Sequence, residues 1–312
     1  MASRPRAARY GIAEWFGHSA QGLSTKTRQI FAHAALKPGG SAQACPFALS
    51  VAAPCNKPGG VCSIRQYQER SDGSVRPAQS RIATVCPNRF LENAKLLRWA
   101  GEVMLSTHHP ILVKEVPFLA KLTKSGVETA TRKAGRIDWV LVDPNASDAL
   151  RWCAMETQSV YFSGKKMETE YANWARAAAE ELPFPVETRR PDYRSSGPKR
   201  LAPQLRVKVP ELRSWGAKTC VLVDRYFYEQ MSDLASVKGV GANQLANAEV
   251  VWQVADYDST SSLVPGEVIY SRLEESIAAL NATESVGKVE FERAVRDAID
   301  DPRRRGSKVF TV

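Results

Sequence analysis

No stretch of this 312-residue chain approaches the roughly 20 consecutive apolar residues that a membrane-spanning helix requires, so the sequence offers no span. The first ten residues, Met1-Ala-Ser-Arg-Pro-Arg-Ala-Ala-Arg-Tyr10, lack the apolar centre of a secretory signal. Their arginines faintly suggest an organellar transit peptide, but a solvated basic tail is the plainer reading, and a cytoplasmic location is expected. Internal repeats are absent. Histidine is scarce: only His18, His33, His108 and His109 occur, and the last two, beside Pro110, read as a loop pair rather than as metal ligands. The six cysteines include no Cys-x-x-Cys unit. Without an export signal they are not expected to form disulfides, which leaves metal binding or buried thiols.

Acidic residues are also outnumbered. With 43 Lys and Arg against 33 Asp and Glu, the formal net charge is +10. That charge attracts polyanions, with nucleic acid the first candidate and an anionic membrane surface the second. The hydrophobic share of 44% and charged share of 24% are ordinary for a globular protein. The length suffices for one large domain or two modest ones. We expect a helical and cysteine-bearing region over residues 1–100 and a mixed α/β core with C-terminal helices over 101–312.

Along the chain, residues 1–36 read as partly helical, with Ile12 and Phe16 on an apolar face and Ser24 or Thr25 capping a second helix. Over 37–90 Gly, Pro and Cys accumulate and regular periodicity vanishes, so a loop-rich module that needs a staple is expected. Phe90, Leu91, Ala94, Leu97, Ala100 and Met104 have helical spacing. Strands are expected over 111–119, 136–142 and 152–162, then a helix through Met167, Tyr171, Trp174 and Leu182 that Pro183 ends. Residues 187–204 read as a long surface loop, with a short helix starting at Pro210 and ending near Gly216. The apolar run at 218–224 reads as a strand buried on both faces. A strand near 249–254 and helices near 271–280 and 289–299 follow. The order strand, strand, strand, helix, strand implies a central mixed sheet flanked by helices: a three-strand meander, then a crossover to a strand that can run parallel.

The chemistry concentrates on two of these strands. Asp138 leads the apolar run of Gly135-Arg-Ile-Asp-Trp-Val-Leu-Val142, and Glu156 and Gln158 lie two apart in Trp152-Cys-Ala-Met-Glu-Thr-Gln-Ser-Val-Tyr-Phe162. Two residues apart in a strand means one face. Hairpin neighbours can bring Asp138 and Glu156 to one divalent cation, and a carboxylate inside so apolar a segment needs a partner or a metal. Such a cation makes water nucleophilic and neutralises a charged transition state, as phosphodiester hydrolysis demands. Gln158 can orient water or touch the phosphate, but an amide cannot serve as a general base.

This arrangement resembles the PD-(D/E)xK nuclease superfamily, with Gln158 where the usual pattern has Lys. Together with the upstream cysteines and the Tyr161-Phe-Ser-Gly164 segment, it resembles NotI-type restriction endonucleases across roughly residues 40–225. The resemblance implies a PD-(D/E)xK core and a Mg²⁺-dependent type II endonuclease. Such an enzyme cuts double-stranded DNA within a palindromic, GC-rich site as a homodimer and leaves 5′-phosphate and 3′-hydroxyl ends. It implies Mg²⁺ on Asp138 and Glu156, Gln158 in the lysine's place, and a further acid upstream. Glu115 is our choice for that acid and Glu128 its rival.

Cys45, Cys55, Cys62 and Cys86 could enclose one tetrahedral metal ion, and Lys57-Pro-Gly-Gly60 supplies the turn that returns Cys62 toward Cys55. Iron and zinc both fit four thiolates, and the resemblance favours a rubredoxin-like iron. The alternative is four reduced thiols packed as small apolar groups. Cys153 and Cys220, in strands, read as ordinary buried thiols. For DNA contacts the candidates are Lys165 and Lys166 at a helix start, then Arg189, Arg190, Arg194, Lys199 and Arg200 on the long loop, with Arg65 and Arg70 as further basic residues. Two other functions fit parts of the pattern: a DNA-binding protein with a structural metal and no hydrolytic role, and a repair or structure-specific nuclease.

Overall fold

A computed structural model describes residues 7–37, 43–50, 53–122, 128–130, 135–147, 149–164, 166–178, 181–239, 242–282, 287–301, 303 and 309–310. The chain divides into two units, Met1–Asn281 and Ala282–Val312. Within the first unit, strands β1 (Arg9–Trp15) and β2 (His18–Ser19) precede helix α1 (Thr25–Leu36). Strands β3 (Val61–Glu69), β4 (Val75–Pro77) and β5 (Ala83–Thr84) complete a five-stranded sheet in which β3 is central. Helix α2 (Lys95–Leu105) leads to β6 (Ile111–Pro117), a small hairpin of β7 (Ala120–Leu122) and β8 (Glu128–Ala130), then β9 (Arg136–Val142) and β10 (Trp152–Thr157). Next come β11 (Tyr161–Gly164), α3 (Glu168–Arg176), β12 (Arg189–Asp192), α4 (Tyr193–Ser196) and α5 (Ala202–Ser214). The unit closes with β13 (Thr219–Asp224), α6 (Arg225–Tyr228), α7 (Ala242–Asn247), β14 (Val250–Tyr257), β15 (Leu263–Ser271) and α8 (Leu273–Asn281). Helix α9 (Lys288–Asp300) belongs to the C-terminal unit.

The central sheet is six-stranded and mixed, in the order β15-β14-β13-β10-β9-β6. β6, β9 and β10 form the expected antiparallel meander. β13 then pairs parallel with β10 on one side and with β14 on the other. β13 is buried at every residue, as its unbroken apolar run demands. On one face Leu96, Leu97, Ala100 and Met104 of α2 pack against Trp139, Leu141, Cys153, Met155, Cys220 and Leu222. On the other, Leu212 and Ala217 pack against Ile137, Val140 and Ala154. Alternation along β9 and β10 therefore sends Asp138 and Glu156 to the α5 face.

Several expectations are corrected. Ile12 lies in strand β1, not in a helix, buried against β3, and Phe16 lies in the turn just after it. Ser24 does cap a helix, accepting the Thr27 N–H at 3.1 Å. The cysteine-bearing stretch holds β3, a nine-residue strand, where loops were expected. The surface loop over 187–204 is instead β12, α4, a π-turn over Gly197–Leu201 and the start of α5. Residues 163–164 belong to β11 and pair with β12, and the helix that follows starts at Glu168. Pro210 lies inside α5 rather than at a helix start, because Leu201, Leu205, Val209 and Leu212 give the segment one continuous buried face. β15 was unforeseen: Pro265 and Gly266 disguise it, yet Pro265 falls at a register shift on an edge strand, where proline is tolerated.

A buried ion pair ties the two sheets together. Arg89 donates through Nε to both Glu14 oxygens of β1 at 2.9 Å, through Nη1 to Glu92 at 2.9 Å and through Nη2 to the Ser261 carbonyl, before β15, at 2.7 Å. Arg89 is 1% exposed and Glu14 4%. Replacing Arg89 with Met strands the Glu14 carboxylate. The expected loss is about 3–5 kcal/mol in denaturant unfolding; a loss below about 1 kcal/mol would show the pair to be incidental.

Candidate active site

The register of the meander places three acids in one row. Trp139 pairs with Met155 on one side and with Lys114 on the other, so one step along brings Asp138 opposite both Glu156 and Glu115. Directly opposed residues of an antiparallel pair share a face. Asp138 stands close enough to Glu156 for its charge to act on that carboxyl. Asp138 Oδ2 accepts from the Thr157 N–H at 3.2 Å and its hydroxyl at 3.4 Å, which fixes the carboxylate beside the end of β10. Glu115 departs from regular strand geometry, with φ +56, a left-handed conformation that costs a non-glycine residue energy. Its carboxylate pairs with Arg136 at 2.9 Å and Lys114 at 3.6 Å. Of Glu128 only the backbone is described, in β8.

Glu156 is 2% exposed. Its Oε1 accepts from Nζ of Lys208 at 2.7 Å, and that ammonium also donates to Gln204 Oε1 at 3.0 Å. Burial, then the charge of Asp138, push the Glu156 carboxyl up to about 7, against the opposing pull of Lys208. Sequence reasoning missed Lys208. The available signal was its place between Leu205, Val209 and Leu212 on an otherwise apolar helical face, since a lysine there has to find a partner. Gln158, half-buried, donates its side-chain amide to the Ser159 carbonyl at 2.6 Å, just past β10.

Asp138 and Glu115 line a cleft of about 210 Å³ together with Lys114, Arg136, Thr157 and, from the cysteine-bearing part, Asn56 and Asn88. Lys114 and Arg136 put two cations beside the acids. This is the charge pattern that a phosphate group needs if it is to approach carboxylates. Sequence reasoning missed both, although Lys114 adjoins Glu115 and Arg136 lies two residues before Asp138.

The cysteines converge in two pairs. Cys45 and Cys55 lie on adjoining segments: the Cys45 N–H donates to the Ala53 carbonyl and the Cys55 N–H to that of Gln43, both at 2.8 Å. Cys86 N–H donates to the Cys62 carbonyl at 3.2 Å, and the Asn88 side chain, 3.8 Å from Cys45 Sγ, links the two pairs. All four thiols are buried. Burial, then the neighbouring Cys86, push Cys62 far up, while burial, against the pull of Lys57, raises Cys86 to about 11. Among the described residues, no three His, Cys, Asp or Glu side chains stand close enough together to hold a metal ion. Cys153 and Cys220 lie in the core, as expected.

Of the nominated basic residues, Lys166, Arg190, Arg194, Lys199 and Arg200 are exposed, the last stacked over Tyr161 at 5.0 Å. Arg189 is buried in an ion pair with Glu170 at 3.2 Å, an internal strut rather than a free cation. Lys165 lies outside the described residues. No helix among the described residues is long and apolar enough to cross a membrane.

The raised Glu156 pKa has a thermodynamic consequence. The native protein holds a proton that the unfolded chain, with an ordinary carboxyl near 4.5, has released. Without divalent ions, wild type should therefore lose stability relative to Glu156→Gln as pH rises from about 4.5 to about 7, by up to about 3 kcal/mol. Denaturant titrations across that range check it, and a pH-independent difference contradicts it.

A family model described as restriction endonuclease NotI matches residues 32–267, well over half of the chain. The chain belongs to that family. A search of curated proteins gives no match.

Proposed function

Starting from that membership, we propose that the protein is a Mg²⁺-dependent, site-specific type II endonuclease. It hydrolyses double-stranded DNA at a GC-rich palindrome as a homodimer and leaves 5′-phosphate and 3′-hydroxyl ends. The observation that carries the reading is the opposition of Asp138 and a buried Glu156 on neighbouring strands of a mixed sheet. Two hard oxygen donors suit Mg²⁺, which is commonly held by one or two carboxylates and completed by water and substrate phosphate. Glu115, Asp138, Glu156 and Gln158 are thus the proposed site of a PD-(D/E)xK-type nuclease with Gln in the lysine's position.

When bound, the cation supplies an acidified water and charge neutralisation at the phosphate. The chain supplies the rest. Asp138, bonded by Thr157, and Glu156, bonded by Lys208, are the carboxylates that would hold the cation. Lys114 and Arg136 draw the phosphate into the cleft. The oxygen of the Gln158 amide remains to orient water, its nitrogen being engaged. The exposed Lys166, Arg190, Arg194, Lys199 and Arg200 contact the backbone of the duplex, which makes binding steeply salt-dependent. Cys45, Cys55, Cys62 and Cys86 are the proposed ligands of a structural iron or zinc, which would have to draw their two pairs together, since no three of them stand close enough to hold it as they are.

Digestion of genomic DNA with and without Mg²⁺ tests the reading. Discrete fragments support it. A smear or nicks indicate a structure-specific nuclease, and intact DNA indicates a binding protein. Asp138→Ala should slow cleavage at least about 10²-fold while DNA affinity stays within about threefold; lost binding contradicts the assigned role. Cys62→Ser should lower both bound transition metal and melting temperature. Unchanged metal content with wild-type melting removes the staple.

A further inference from the structure

Where the resembled superfamily carries a lysine two residues after the acid, this chain has Gln158, whose amide is turned onto the backbone. The ammonium that bonds Glu156 comes from elsewhere. Lys208, 52 residues beyond Glu156 on α5, reaches Glu156 Oε1 at 2.7 Å, and both side chains are nearly inaccessible, at 5% and 2% exposure. The helix is built to deliver it. Leu205, Val209 and Leu212 give α5 a buried stripe, and Leu212 packs with Val140 and Ala154 on the sheet. Gln204, one turn earlier, takes a second donor of the same ammonium at 3.0 Å. The charged groups facing Glu156 are Asp138 from β9 and Lys208 from α5, while β13 offers only Val221 in register.

We propose that Lys208 is a positioning residue of the hydrolytic site, a fixed cation that orients the Glu156 carboxylate and competes with the divalent ion for it. The inference rests on the endonuclease reading above and adds a residue to it. A purely structural salt bridge and a competing positioning cation make opposite demands on the metal. A lysine beside a metal ligand repels the incoming cation, so its removal should tighten divalent-ion binding. Its removal also frees the carboxylate to adopt other orientations, so turnover should fall.

The test compares wild type with Lys208→Met, the uncharged residue of nearest shape. Two measurements are made: the rise in melting temperature caused by Mg²⁺ in the absence of DNA, and kcat and KM for cleavage at saturating Mg²⁺. We expect the Mg²⁺-induced rise to be at least about twice that of wild type, because the ion now neutralises a buried carboxylate that has lost its partner. We expect kcat to fall about tenfold or more with KM for DNA unchanged. A Mg²⁺-induced rise equal to or smaller than wild type overturns the proposal, as does a wild-type kcat. Should Lys208→Met not fold, Lys208→Arg keeps the charge but exchanges a point ammonium for a planar fork. It should melt like wild type yet lose about tenfold in kcat, and wild-type turnover there overturns the proposal equally. Failure of the wild-type protein to cut DNA with Mg²⁺ sinks the endonuclease reading, whereas wild-type cutting with an unaltered Lys208→Met sinks only the role of Lys208.

Discussion

Glu156 sits where an unaccompanied carboxylate would not stay ionised, and the arrangement around it follows from that constraint. Burial disfavours the anion, and Asp138 on the next strand disfavours it further. Both effects are useful only if a cation is present, for then the same low-dielectric setting that makes the lone anion costly makes its attraction to positive charge strong. The chain supplies one cation of its own in Lys208, while Asp138 lines the cleft.

The sheet is what makes this geometry durable. β10 is held between antiparallel β9 and parallel β13, so the position of residue 156 is set by neighbours on both edges. The acids fall near the end of β10 and the start of β9, at the margin of the packed core, where a side chain can be buried on one side and face a cleft on the other. α5 closes the buried side. The cysteine-bearing part approaches the open side through Asn56 and Asn88, and Arg89 and Glu14 lock that part to the rest of the unit. Fold stability and site architecture thus meet in the same few buried charges.

The sequence made the site half legible. Asp138 and Glu156 stood out as candidates because each interrupts a strongly apolar strand, and the two-residue period put Glu156 and Gln158 on one face. The β6–β9–β10 meander and the doubly buried β13 were readable for the same reason. Lys208 was not, because its helix contains Pro203 and Pro210 amid basic residues, and local chemistry argued for a loop while the spacing of Leu201, Leu205, Val209 and Leu212 argued for a helix. Tertiary burial decided in favour of spacing. Arg189 misled in the opposite sense: among exposed basic neighbours it looked like a DNA contact, yet Glu170, nineteen residues away, draws it inside. β3 and β15 were hidden by Gly, Pro and Cys, whose local preferences yielded to pairing with strands distant in sequence.

The most direct measurement is anomalous diffraction from crystals of the protein soaked in Mn²⁺, an ion that takes the same oxygen ligands as Mg²⁺ and can be located by its scattering. The account requires a peak in contact with the carboxylates of both Asp138 and Glu156. A Mn²⁺ ion bound elsewhere, with those two side chains still engaged only by Thr157 and Lys208, would contradict it.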